Sequence, residues 1–177
     1  MRKCRVKKYS SNETTIQSAM IDMVKSFPDK ETRPESIIFD GTKVTTGLWV
    51  SVPTHFNIKL EFMSEADQNQ GVDMKPDKGY LKLSDGAKVK LLRTWHDPKF
   101  EKVVEYKGVS KSGRIFITNV YKIEQFGEIR EEKWTGNAGM AIDKLSSEEL
   151  IFNCSPGYKN PPDFSSLIFR ITAGKAS

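Results

Sequence analysis

The chain is poor in the residues that usually announce chemistry. It has two cysteines in 177 residues, Cys4 and Cys154, at opposite ends of the sequence. That count belongs to a reducing compartment. No Cys-x-x-Cys pair is present, which removes the redox and zinc frameworks built on that spacing. Chain ends often meet in a folded domain, so a Cys4–Cys154 bridge is the one disulfide open to it. Two histidines, His55 and His96, are too few for a three-histidine metal centre. No nucleophile elbow, phosphate-binding glycine loop or His-Glu-x-x-His helix occurs. Long apolar runs are missing too: nothing approaches the roughly 18 residues of a membrane span. The basic start, Met1 to Lys8, lacks the apolar stretch of a secretory leader. These absences imply a soluble protein, cytoplasmic or nuclear, with no membrane, metal or cofactor.

What remains is ordinary globular composition, 37% hydrophobic and 29% charged. It suits one domain with a real core. The expected organisation is a basic N-terminal tail over residues 1–10 and a single domain over residues 11–177. Ile16, Ala19, Met20, Met23, Val24 and Phe27 recur at three- and four-residue steps, one helical stripe. Ser11 or Asn12 would cap this helix and Pro28 would close it.

After Pro34 the period changes to two. Asp40-Gly41 predicts a turn, and Lys43 to Val52 a Val- and Thr-rich strand. Phe56, Ile58, Leu60 and Phe62 alternate with polar residues, the pattern of a half-buried strand. Residues 64–79 have almost no apolar content and predict a long loop. Tyr80 to Leu83 and Ala87 to Trp95 flank Ser84-Asp85-Gly86, a hairpin signal, with Leu81, Leu83, Val89 and Leu91 facing the sheet. Further strands are expected over Glu101–Tyr106, Arg114–Ile123, Met140–Asp143, Leu150–Cys154 and Leu167–Ile171, with an acidic amphipathic stretch over 124–134. No β–helix–β rhythm appears. The expected fold is therefore mainly β, an antiparallel sandwich or barrel with one N-terminal amphipathic helix.

The net charge of +5 is unevenly spread. Residues 81–122 carry ten basic and four acidic side chains, while residues 31–80 carry five and eight. Lys82, Lys88, Lys90, Arg93, Lys107, Lys111 and Arg114 fall within the basic segment. On one sheet face such cations repel, and a nucleic-acid backbone would compensate them. Positive side chains with aromatic platforms are how single-strand binders work, and Tyr80, Trp95, Tyr106, Phe116 and Tyr121 are the aromatics in reach. The leading expectation is a non-enzymatic module that binds nucleic acid through Lys82, Lys88, Lys90, Arg93, Trp95, Lys107, Lys111, Arg114 and Tyr121.

Competing expectations rest on the same residues. Lysine is the usual guard of exposed strand edges, so the segment also fits a protein-interaction, self-associating or structural β domain. Its interface would then use the 64–79 loop or the acidic 124–132 stretch. A metal-dependent nuclease would need an Asp one strand before Glu-x-Lys; Asp85 or Asp97 before Glu105-Tyr106-Lys107 offers it, and Glu131-Glu132-Lys133 gives a second version. His96 beside Asp97 is expected to be a turn histidine, and Trp49, Trp95 and Trp134 are expected in the core, though they could line a ligand groove.

Overall fold

In the computed structural model, residues 7–177 are described; Cys4 lies outside them. In chain order the elements are β1 (Lys8–Tyr9), α1 (Ile16–Ser26), β2 (Ile37–Phe39), β3 (Thr42–Val44), β4 (Leu48–Ser51), β5 (His55–Phe62), β6 (Asp67–Pro76), β7 (Gly79–Lys82) and β8 (Lys88–Val89). They continue with β9 (Leu92–His96), β10 (Val103–Ser110), β11 (Arg114–Gln125), β12 (Glu128–Glu132), β13 (Gly139–Lys144), β14 (Glu149–Ser155) and β15 (Leu167–Lys175).

The protein is mainly β, with several antiparallel sheets and one short helix among the described residues. A seven-stranded sheet runs β13-β14-β15-β5-β10-β7-β8. A second sheet runs β12-β11-β6-β9, with β4 beside the first half of β11. A small third sheet, β1-β2-β3, contains the parallel pair β1–β2. No sheet closes into a barrel among the described residues. No described helix is long and apolar enough to cross a membrane.

One hydrophobic cluster joins the inner faces of the two large sheets. Phe56, Ile58, Leu60, Phe169 and Ile171 meet Val72, Met74, Ile115 and Ile117 in it. The period-two strands supply these residues, as their alternation predicted. The helix buries Ile16, Ala19 and Met23 against Ile37, Phe39 and Val44 in a second cluster, but Val24 stays largely exposed. Its cap is Thr15, whose hydroxyl accepts a hydrogen bond from the Ser18 N–H at 3.2 Å, and not Ser11 or Asn12. The helix does close at Phe27, before Pro28.

Two sequence expectations fail here for identifiable reasons, and the acidic 124–134 stretch, to which the sequence assigns no element, gains one. Residues 64–79 are not a loop: Asp67–Pro76 is a strand at the centre of the second sheet. Its buried polar side chains find partners for their charge and donors, although the Gln70 side-chain oxygen has none among the described residues. Asp73 binds Arg93, and Gln70 donates to Asp67 and to the Ser166 carbonyl. The acidic 124–134 stretch is a hairpin strand. Its turn is Phe126-Gly127, with φ 55° and 77°, the left-handed backbone that a two-residue turn requires. The 87–95 segment is two strands, and they belong to different sheets: β8 edges the seven-stranded sheet and β9 the second one. Within that hairpin Leu81 is buried and Val89 packs on the core, whereas Leu91 is exposed.

His96 ends β9 and is almost wholly buried, stacked on Phe62 with ring centroids 4.3 Å apart. Neither ring nitrogen has a hydrogen-bond partner among the described residues. It is therefore a core residue at the end of a strand and not a turn histidine with its hydrogen bonds satisfied. Burial, aided by Lys102 and opposed by Asp67, holds its pKa below the ordinary value. The unfolded chain then binds the proton more readily than the folded one, so stability rises with pH across this range. Urea unfolding should give a stability that falls as pH drops through about 6.5; His96→Phe, which keeps the stack, should flatten that dependence.

Candidate functional site

The nine residues expected to act together are divided by the chain's crossing between sheets at Lys90-Leu91. Lys88, Lys82 and Lys107 form one row across β8, β7 and β10, directly opposite one another in register. Lys88 lies over the Tyr80 ring at 4.6 Å from its centroid. Lys90 sits in the link between β8 and β9, and Lys111 in the turn between β10 and β11. Arg93, Trp95 and Arg114 belong to the second sheet. Tyr121 is buried: it faces the inner side, where its hydroxyl meets that of Thr135 and its ring packs edge-on against Tyr158. Burial pushes its pKa up. It cannot serve as a surface platform. Tyr106 also packs against the core cluster.

The outer face of the second sheet holds a more ordered arrangement. Phe116 on β11 pairs in register with Trp49 on β4 and with Lys75 on β6, so all three share a face. The Trp49 and Phe116 rings are tilted at 5.0 Å, and Trp134 meets Phe116 edge-on at 6.4 Å. Trp95, one strand further, lies over Gly71 of β6, its register partner. Two glycines make the rings fit. A side chain at Gly47 would overlap the Phe116 ring, and one at Gly71 would meet the Thr94 carbonyl and the Trp95 ring.

Each tryptophan carries a cation. The Arg114 guanidinium stands 4.3 Å from the Trp49 ring centroid, Lys122 4.3 Å from that of Trp95, and Lys133 4.7 Å from that of Trp134. Cation–π attraction of this kind contributes about 0.5–1 kcal/mol at exposed sites. Trp49 and Trp134 are 43% and 45% exposed, so the expectation that the tryptophans fill the core is overturned. On that side β11 carries Phe116, Thr118 and Val120, and the last two are buried beneath the face.

Trp134 is held at several points. Its backbone is left-handed, φ 63°, a conformation that costs a bulky residue free energy. Its indole N–H donates to the Thr118 hydroxyl at 3.1 Å, and that hydroxyl donates to the Thr46 carbonyl at 2.7 Å. The following loop is tied to the helix: Gln17 N–H donates to the Gly136 carbonyl, and Ile16 N–H to the Asn137 side-chain oxygen. The helix thus braces the loop that presents this ring.

Charge on the face is nearly balanced. Asp73, buried beneath, takes both Arg93 nitrogens at 2.7 and 2.8 Å and the Lys133 ammonium at 3.3 Å. Arg93 also reaches Glu131, and Arg114 pairs with Asp77 at 2.9 Å. Among the described residues Lys75 and Lys122 are the cations of this face outside an ion pair. Arg93 is therefore a structural cation held by Asp73 and Glu131, contrary to its expected role at a phosphate.

For the hydrolytic readings, no group of three or more His, Cys, Asp or Glu among the described residues is placed to hold a metal ion. Glu131 of the second Glu-x-Lys is occupied by Arg93. Cys154 is free and fully buried, with burial driving its thiol pKa well up, as an inert core cysteine. The chain matches no protein-family model, no curated protein and no solved structure.

The missed residues left faint signals. Trp49 and Phe116 stand on the period-two positions opposite the core residues Val50 and Ile115, which already placed them outside. Trp134 follows a run of charges and precedes a glycine-rich turn, and only the structure brings it beside Phe116.

Proposed function

We propose that the protein is a non-enzymatic binding module, a two-sheet β-sandwich that takes single-stranded nucleic acid on the outer face of its second sheet. The observation carrying this is the line of rings formed by exposed Trp49 and Trp134 around half-buried Phe116, bordered by Lys75, Arg114, Lys122 and Lys133. Bases stack on such platforms whatever their sequence, at about 1–3 kcal/mol each, while the lysines meet phosphates. The basic row Lys88, Lys82 and Lys107 lies on the other sheet with one tyrosine and is ordinary solvent-facing charge in this reading, with Lys88 alone on an edge strand. A cytoplasmic or nuclear location accords with it.

Because the charge on this face is nearly balanced, base stacking outweighs phosphate contact. With two or three phosphates neutralised, log K should fall with log salt at a slope of about −2, shallower than a purely basic surface would give. Fluorescence anisotropy with a labelled single strand should report micromolar binding at low salt, with little binding of a duplex. Trp134→Ala and Trp49→Ala should each weaken it by about fivefold or more, while Lys82→Glu with Lys88→Glu should leave it nearly unchanged. Loss of binding only in the lysine variant would return the site to the seven-stranded sheet. No binding by the unaltered protein would end the reading.

A further inference from the structure

Two features of the chain are left without a partner, and they complement each other. The first is an arm. Pairing of β11 with β6 ends at Tyr121–Gln70, and beyond it Lys122 to Gln125 pair with β12 alone. A two-stranded ribbon by itself is marginal in water, yet this one carries two bare apolar residues, Phe126 at its tip, 89% exposed, and Ile129, 73% exposed. The rest of the arm is mostly acidic, with Glu124, Glu128, Glu131 and Glu132 against Lys122 and Arg130. The two-residue turn makes Gln125 and Glu128 the hydrogen-bonded pair, so Ile129 and Glu131 direct their backbone groups to the open edge.

The second feature is a cleft of about 380 Å³ where the edges of β4 and β13 approach. Its floor is apolar, with Leu48, Met140 and Ile142, and its rim holds Lys43 and Lys144 against a single Glu35. Strand β13 is an edge of its sheet. Its outer side makes one isolated bridge, in which Thr45 and Met140 exchange hydrogen bonds of 3.0 and 2.8 Å. Two residues further on, Ile142 turns the same pair of backbone groups to the same side, where no described strand meets it.

We propose that the arm of one copy docks in this cleft of a second copy, β12 adding as a strand to the open edge of β13. Phe126 and Ile129 then rest on the apolar floor, and the arm's carboxylates face Lys43 and Lys144. Strand addition to an open edge is a general mode of recognition. The five-residue β12 is long enough to cover the four-residue edge left by Ala141 to Lys144. The contact is heterologous, so it builds a ring or an open chain rather than an isologous dimer. It leaves Trp134 and Lys75 free but meets the proposed nucleic-acid face at Trp49, which also lines this cleft, so oligonucleotide and second copy should compete there.

Sedimentation velocity of the whole chain tests this, from about 1 to 200 µM. The unaltered protein should sediment faster as concentration rises, and less so at about 0.5 M salt, which screens the charge contacts. Phe126→Asp and the pair Lys43→Glu with Lys144→Glu alter exposed side chains, so each variant should keep its fold by circular dichroism and sediment as a monomer. Mixed together, the two variants should form a 1:1 complex that grows no further, since one supplies the intact cleft and the other the intact arm. A monomer at every concentration overturns the proposal, as does association that survives in either variant. Association lost in both variants and not restored on mixing overturns it too, since an arm and a cleft that are each intact would then fail to join.

Discussion

Replacing Arg93 by methionine should destabilise the fold by about 3 kcal/mol, measured by urea unfolding with an unchanged m-value. The reason is Asp73, which is 2% exposed on the central strand of the second sheet. Arg93 satisfies both of its oxygens, and Lys133 alone, at 3.3 Å, cannot replace a two-point contact. A carboxylate left underpaired away from water carries its desolvation cost uncompensated. The pair itself need not be strongly stabilising. Replacing both partners together, Asp73→Leu with Arg93→Met, should recover most of the loss. A single Arg93→Met variant as stable as the parent would mean that water reaches Asp73.

The largest effect should come from the core of the seven-stranded sheet. Phe152 and Phe169 are fully buried and stacked, with centroids 4.7 Å apart and planes within 9°. Phe169→Ala removes one ring from a site held by neighbouring strands on both sides, and should cost about 4 kcal/mol. In a chain of this size that lowers the melting temperature by about 10 °C. Phe126→Ala is the control, since its ring is nearly all in solvent and its removal should change stability by less than about 0.5 kcal/mol. Equal losses from the two would contradict the placement of the core.

Residues such as Phe169 were legible in the sequence because strict alternation leaves one answer. In β5, β11 and β15, a shift by one position would put the apolar set in water, so those strands and their inward faces follow from the residues themselves. The helix was legible for the same reason at its own period, though its cap was not: Ser11, Asn12 and Thr15 all have the right oxygen, and docking decides among them. Strand β6 was hidden because its buried positions include Gln70, Gly71 and Asp73. Their burial depends on partners far along the chain, Arg93 above all, which no local pattern reveals.

The candidate site was split for a related reason. The sequence shows Lys88, Lys90 and Arg93 as one basic run, but the chain changes sheets between them. Lys88 then joins Lys82 and Lys107, while Arg93 goes to Asp73. Charge counted along a sequence does not register which cations are already paired in space. The tryptophans reversed in the same way. Their hydrophobicity argued for the core, but small residues on the outer face, Gly47 and Gly71, let aromatic rings lie down on the sheet from outside. A glycine within a strand is the local sign of that close approach.

The proposed binding of a single strand on the outer side of the second sheet, and not on the lysine row, is tested most directly by a two-dimensional ¹⁵N–¹H spectrum. The labelled protein is titrated with an unlabelled single-stranded oligonucleotide. The three tryptophans give three indole N–H signals, assigned by single substitution. Stacking on Trp49 and Trp134 predicts that their indole signals shift progressively, together with the amides of Lys75 and Phe116. Shifts confined to the amides of Lys82, Lys88 and Lys107, with all three indole signals unmoved, would contradict it.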